Sequence, residues 1–294
     1  MSNIVVIKNL SKHFGKLKAV DGIDLNIKKG EILGFLGPNG AGKSTTIRCL
    51  MGFNKPTSGS VTVFGYDMDS QSHIAKEQIG YLPGNVKLYD RWTGWDHIRF
   101  FESVRGKSSS VDDLINRFDF NPNAKFRHLS SGNRQKLGLI LAMMHQPKLL
   151  VMDEPTVGLD PLLQNEIYQV LLELRDKGTT ILISSHNLPE VERLCDRIAV
   201  IKKGKLVAVE DIKTLGEKKI HKIQIRFGDK FKASDFNVKG VDKVDEVSGG
   251  LLITIGGDLN PLLHEVAKHK VLDFEITHAS LEDVFMKFYE GDNN

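Results

Sequence analysis

Gly37-Pro38-Asn39-Gly40-Ala41-Gly42-Lys43-Ser44-Thr45 is the stretch on which the reading of this 294-residue chain turns. It fits the phosphate-loop pattern G-x-x-x-x-G-K-[ST], with Gly37, Gly42, Lys43 and Ser44 at the fixed positions. A triphosphate is a dense cluster of anionic oxygens and needs many donors at short range. Gly40 and Gly42 carry no Cβ, so the backbone can curl and turn successive N–H groups inward. Lys43 can reach the terminal phosphates, and the Ser44 hydroxyl can ligate Mg²⁺. A helix starting at Ser44 adds the positive end of its dipole.

Working outward, Glu31-Ile-Leu-Gly-Phe-Leu36 reads as a buried strand of a parallel sheet, and Thr45-Thr-Ile-Arg-Cys-Leu-Met51 as a helix. That is the strand–loop–helix frame the motif requires. Upstream, residues 4–7 start a strand, and residues 22–27 alternate apolar and polar, as a half-exposed strand of an antiparallel unit does. Phe14 lies in a polar stretch and reads equally as an aromatic face for adenine or as core packing. Downstream, residues 60–64 and 79–82 are expected strands, the second broken at Pro83-Gly84. From Thr93 to about His145 the pattern is helical, with capping-box sequences at Thr93–Asp96 and Ser110–Asp113. Strands are expected at 149–154, 179–184, 197–201 and 205–209, the last two a hairpin about Lys203-Gly204. A helix at 162–176 closes at Gly178.

Hydrophobic residues make up 40% of the chain and charged residues 26%, which suits a substantial core. No apolar run approaches the ~18–20 residues of a membrane span, and the N-terminus has no secretory pattern. Cys49 and Cys195, far apart, are expected as reduced core thiols. A net charge of +3 gives no case for nucleic acid. A charged, linker-like stretch at 213–219 precedes an expected α+β appendage, with strands at 223–227, 251–255 and 272–277 and helices at 261–269 and 281–289. In that appendage His264 and His269 mimic a zinc-protease motif but stand five apart, so on a helix they diverge by about 140°.

Three further features carry chemistry. Asp153 and Glu154 end an apolar strand: one carboxylate can hold Mg²⁺ and the next can orient or deprotonate a water. Ser130, Ser131 and Gly132 open a helix and read either as an ordinary Ser-Ser N-cap or as a second anion site, the latter explained if two chains sandwich each nucleotide. His186 directly follows a strand and is placed to face the γ-phosphate. Asp160, in the turn after the carboxylates, is placed to cross such a dimer seam.

The order of these motifs resembles the ATP-binding subunit of ABC transporters over roughly residues 4–210. The resemblance implies Gly37–Thr45 as the Walker A loop, Asp153 as the Mg²⁺ aspartate and Glu154 as the catalytic base. It further implies Ser130–Gly132 as the signature turn, Asp160 as the D-loop residue, His186 as the switch histidine and Phe14 as the adenine-stacking residue. Residues 279–285 resemble the C-terminal extension of multidrug, antibiotic and lipid exporters. Two positions depart from the family. Ser131 stands where a glycine is usual, and Gly84-Asn85 stands where a glutamine or glutamate usually contacts Mg²⁺ or water, leaving Asn85 as the substitute ligand.

The fold class expected is α/β: a phosphate-loop NTPase core of ABC type with an antiparallel β subdomain and a helical insertion at about 86–145. This ATPase domain spans 1–215, and a small α+β domain spans 216–294. The function expected is an ATP- and Mg²⁺-dependent ATPase, with Lys43, Glu154 and His186 catalytic. It dimerises with a second copy or a paralogue. It drives a separate membrane-spanning subunit, an exporter, from the cytoplasmic face. The rivals are a non-transport ABC-type ATPase and a low-turnover regulatory module.

Overall fold

Strand β1 (Asn3–Phe14) and strand β2 (Leu17–Lys28) form a long antiparallel hairpin. β1 runs three times as far as the apolar run 4–7, because only one face of this sheet is buried and polar residues such as Lys8 and Lys12 occupy the other. Next come β3 (Ile32–Leu36) and α1 (Lys43–Leu50), then β4 (Ser58–Val63), β5 (Tyr66–Asp67), α2 (Ser72–Lys76) and β6 (Ile79–Leu82). The helical block holds α3 (Gly94–Arg105), α4 (Val111–Arg117) and α5 (Ser131–Met143). It is followed by β7 (Leu149–Asp153), α6 (Pro161–Asp176), β8 (Thr180–Ser185), α7 (Leu188–Leu194), β9 (Arg197–Lys202) and β10 (Lys205–Asp211). This is a computed structural model, and it describes residues 2–212, 214 and 220–278.

The strands of the first unit, Met1–Glu210, make two sheets, ordered β2-β1-β4-β5 and β10-β9-β3-β8-β7-β6. In the second sheet β9, β3, β8, β7 and β6 pair in parallel. β3, β7 and β8 are buried along their whole length, which is why they read as unbroken apolar runs. The loops at their carboxyl ends, after Leu36, Asp153 and Ser185, therefore gather at one edge, where ligands of open α/β sheets bind.

The Thr93 capping box forms, with Thr93 and Asp96 exchanging hydrogen bonds. The one expected at Ser110 does not. Ser110 has helical rather than extended dihedrals, and its hydroxyl donates to the Met144 carbonyl instead (3.0 Å). Arg117, at the end of α4, grips two carboxylates of α6: Glu166 at 2.5 Å and Glu173 at 2.7 and 2.9 Å. The helical block is thus tied to the core by a bidentate ion pair.

The second unit, Asp211–Asn294, has β11 (Ile220–Phe227), β12 (Val241–Val247), β13 (Gly250–Gly256), α8 (Asn260–Val266) and β14 (Val271–His278). Its sheet is antiparallel, in the order β12-β13-β11-β14. β12 has no sequence signature, because it is largely polar and no residue in it is fully buried. α8 ends at Val266, so His269 lies outside it, with Nδ1 3.6 Å from Asp229. The linker expected at 213–219, Thr214 apart, and the helix expected at 281–289 lie outside the described residues, as does the exporter-like run 279–285.

Candidate functional site

The phosphate loop is shaped by collisions that only glycine avoids. A Cβ on Gly37 would stand 2.4 Å from the Ile201 carbonyl, and one on Gly42 2.5 Å from the Ala19 carbonyl. Gly42 also has φ +115°, a left-handed conformation at the N-cap of α1. The turn after β9 braces the loop from outside: the Gly204 N–H donates to the Ala41 carbonyl (2.9 Å), and the Asp21 N–H to the Gly204 carbonyl (2.8 Å). Pro38, Asn39 and Gly40 are exposed, while Ser44 and Thr45 are half-buried at the start of α1.

Lys43 is buried, and its Nζ donates to the Gly37 carbonyl (2.7 Å). The same ammonium lies 3.4 Å from Glu154 Oε1, while Glu154 Oε2 lies 3.3 Å from His186 Nδ1. One carboxylate thus stands between the loop lysine and the histidine. Glu154 has φ +52°, an uncommon backbone state for a residue with a Cβ. It is held there because its N–H donates to both the carbonyl and the hydroxyl of Ser184 (3.1 Å each). The Ser184 hydroxyl in turn donates to Asp153 Oδ1 (2.5 Å). Ser184 belongs to no motif; its only signal in the sequence is the serine pair that closes β8 after an apolar run.

The structure brings Lys43, Asp153, Glu154 and His186 into one cluster. Ser130, Ser131 and Gly132 lie elsewhere, beside the turn that carries Asp160: a Cβ on Gly132 would meet Leu159 Cδ2 at 3.5 Å. No hydrogen bond or ion pair joins these three residues to the phosphate loop among the described residues. The Ser130 hydroxyl caps α5, accepting from the Asn133 N–H (3.3 Å). Asp160 caps α6, its Oδ1 accepting from the Leu163 N–H (3.0 Å). Gln135, also missed, joins the two regions by donating to the Pro155 carbonyl (3.0 Å). Phe14 is 49% exposed at the end of β1, with Lys12 Nζ 5.1 Å above its ring; it is not core packing.

Gly84 lies against Asp153. A Cβ on Gly84 would lie 3.5 Å from Asp153 Oδ2, an ordinary contact. Asn85 is exposed and makes no side-chain hydrogen bond among the described residues. For Mg²⁺, the donor set fits a hard cation. Asp153 Oδ2 stands beside a residue without a side chain, and the Ser44 hydroxyl, one residue from Lys43, has no hydrogen bond among the described residues.

Fold and site together define a phosphate-loop ATPase of the cassette class. A family model described as ABC transporter matches residues 20–157. The chain is 34% identical to the ABC transporter ATP-binding protein YdbJ of Bacillus subtilis over 97% of this chain and 94% of that one. It is 33% identical to the bacitracin transport ATP-binding protein BcrA of Bacillus licheniformis, over 99% of each chain. A solved ATP-binding subunit of an ABC transporter superposes with a TM-score of 0.68 at 28% identity, covering 73% of this chain and 92% of that one. A dimeric ATP-binding cassette bound to ADP and phosphate has the same fold, with a TM-score of 0.65 at 24% identity over 71% of this chain and 98% of that one. The chain belongs to the ABC transporter ATP-binding proteins. It is an ATP-binding ATPase whose hydrolysis is coupled to transport. Among the described residues no helix is long and apolar enough to cross a membrane.

Proposed function

We propose that this chain is the ATP-hydrolysing subunit of an exporter, working as a dimer on the cytoplasmic face of a separate membrane subunit. The observation that carries the reading is the placement of the Glu154 carboxylate between Lys43 and His186, at 3.4 and 3.3 Å. Lys43 and the loop N–H groups hold the β- and γ-phosphates, and Phe14 offers its exposed face to adenine. Ser44 and Asp153 would hold Mg²⁺, which supplies charge neutralisation on the phosphates when bound. Asn85 is the further candidate ligand, reached only if its exposed side chain turns inward. Glu154 accepts a proton from the attacking water, and His186 orients that water and the terminal phosphate. Ser130, Ser131, Gly132 and Asp160, remote from their own chain's loop, serve the nucleotide of the second subunit, a copy or a paralogue. Export is favoured by the likeness to the bacitracin transport protein and by the linearmycin resistance ATP-binding protein LnrL of Bacillus subtilis, 37% identical over 69% of this chain and 67% of that one.

A groove of about 260 Å³ between the core and the helical block, lined by Phe53, Tyr81, Val86, Leu88 and Phe101, suits a short helix of the membrane subunit. The charged residues lining it, Lys76, Lys87 and Arg105, are all cationic, so the docking segment bears carboxylates. The deciding experiment is phosphate release by purified protein, with Glu154→Gln as control. Mg²⁺-dependent release lost in the variant is expected; release equally slow in both would favour the regulatory module instead.

A further inference from the structure

Glu190 is a buried charged group for which the hydrolytic reading has no use. It lies in the first turn of α7 and is 4% exposed. Its two oxygens are held by hydroxyls: Oε1 accepts from Thr156 Oγ1 (2.7 Å) and Oε2 from Ser185 Oγ (2.6 Å). Both donors flank the cluster. Thr156 follows Glu154 by two residues in the turn after β7, and Ser185 ends β8 directly before His186. The Ser185 hydroxyl also accepts the Asn187 N–H (2.9 Å), so the short turn bearing His186 is gripped on both sides. The Tyr168 phenol of α6 is pushed up to about 12 by burial and the nearby Glu190 charge. Burial raises the Glu190 carboxyl itself, and the two donated hydroxyls oppose that rise.

A buried carboxylate is costly unless its oxygens are satisfied. Here it is satisfied by groups at the ends of two neighbouring strands, β7 and β8, and those same ends carry the two side chains whose approach is 3.3 Å, His186 and Glu154. We propose that Glu190 is a positioning residue: by cross-linking Ser185 to Thr156 it sets the separation of His186 from Glu154 and hence the rate of ATP hydrolysis. The inference rests on the roles given above to those two residues. A glutamine has the same shape but offers one acceptor oxygen where the site uses two.

The test is a double-mutant cycle on the full chain, measuring kcat, ATP affinity and melting temperature for Glu190→Gln, His186→Ala and the pair. Glu190→Gln is expected to lower kcat by about ten- to a hundredfold, the scale of a small misplacement, with ATP affinity and melting temperature unchanged. In the His186→Ala background it is expected to lower kcat no further. An equal loss in both backgrounds, or full kcat in Glu190→Gln, overturns the inference alone. Wild-type turnover in His186→Ala overturns the parent assignment of His186 and the inference with it. If Glu190→Gln does not fold, Thr156→Val, which removes one donor and keeps the carboxylate, replaces it in the same cycle with the same expected outcomes.

Discussion

Lys43 Nζ lies 3.4 Å from Glu154 Oε1, so the ammonium that the phosphate loop offers to ATP is shared with the carboxylate proposed as the base. Phosphate oxygens compete with Glu154 for that ammonium, and their arrival releases the carboxylate for water. Glu154→Gln removes the competitor as well as the base. Turnover is expected to fall by ~10²–10⁴, while ATP affinity stays the same or rises. Equilibrium binding of a fluorescent ATP analogue and steady-state phosphate release check both halves. Near-normal turnover would refute the assignment.

The separation of Ser130–Gly132 from the phosphate loop of the same chain predicts complementation. Lys43→Ala and Ser130→Arg chains, each inactive alone, are expected to pair on ATP when mixed and to form one intact composite site. Light scattering and turnover of the mixture read this out. No recovery, together with monomers throughout and turnover linear in protein concentration, would count against a shared nucleotide.

Tyr89 is 62% exposed, tilted against Trp92 at a centroid distance of 4.5 Å, beside the groove containing Leu88. Trp92 packs onward against His97 and Phe100 and belongs to the helical block; Tyr89 is left for a partner. Tyr89→Ala is expected to leave isolated hydrolysis intact and weaken membrane docking by ~2–4 kcal/mol, the loss typical of a hot-spot aromatic. Sedimentation with membranes carrying the partner measures it, and full-strength association of the variant would sink the docking role.

Gly84 has a negative φ and room for a side chain against Asp153. Gly84→Gln is therefore expected to fold normally and to lower the Mg²⁺ concentration needed for half-maximal turnover. Asn85→Ala is expected to raise it if Asn85 is the substitute ligand. A Mg²⁺ titration of the two variants separates the positions; an unchanged midpoint in Asn85→Ala removes that residue from the site.

Burial, with Arg105 nearby, pushes His145 down to about 4. Its Nε2 faces the Ile79 carbonyl at 3.2 Å, and its Nδ1 is buried with no hydrogen bond among the described residues. An unfolded histidine titrates near ~6.5, so between these values the unfolded chain holds the extra proton. Stability from this group is therefore complete above about pH 6.5 and declines as the pH falls towards 4. Melting temperatures across that window should show a shallower decline in His145→Gln than in the wild type.

The phosphate loop, the Asp153-Glu154 strand end and His186 were legible because each is a short motif fixed by its own strand. Ser184, Gln135 and Glu190 were not, since each acts through a partner twenty or more residues away, in Glu190's case Thr156, that only the sheet order brings near. The same limit applies to the fold. β3, β7 and β8 are buried on both faces and announce themselves, whereas β12 and the outer half of β1 are largely polar in sequence and carry no apolar run. Ser110 shows the converse: the right sequence for a cap, diverted by the Met144 carbonyl that the fold places beside it.

The carbonyls of Ile201 and Ala19, pressed against Gly37 and Gly42, mean that the nine-residue loop is not a portable device. Its curl is moulded by β2 on one side and by β9 and the Gly204 turn on the other. A graft of residues 37–45 onto a foreign scaffold would carry the spelling of a nucleotide site without its mould. The smallest transplantable unit runs from the β2 hairpin through Gly204, nearly the whole first unit. Chimaeras between cassettes should therefore be joined outside that span.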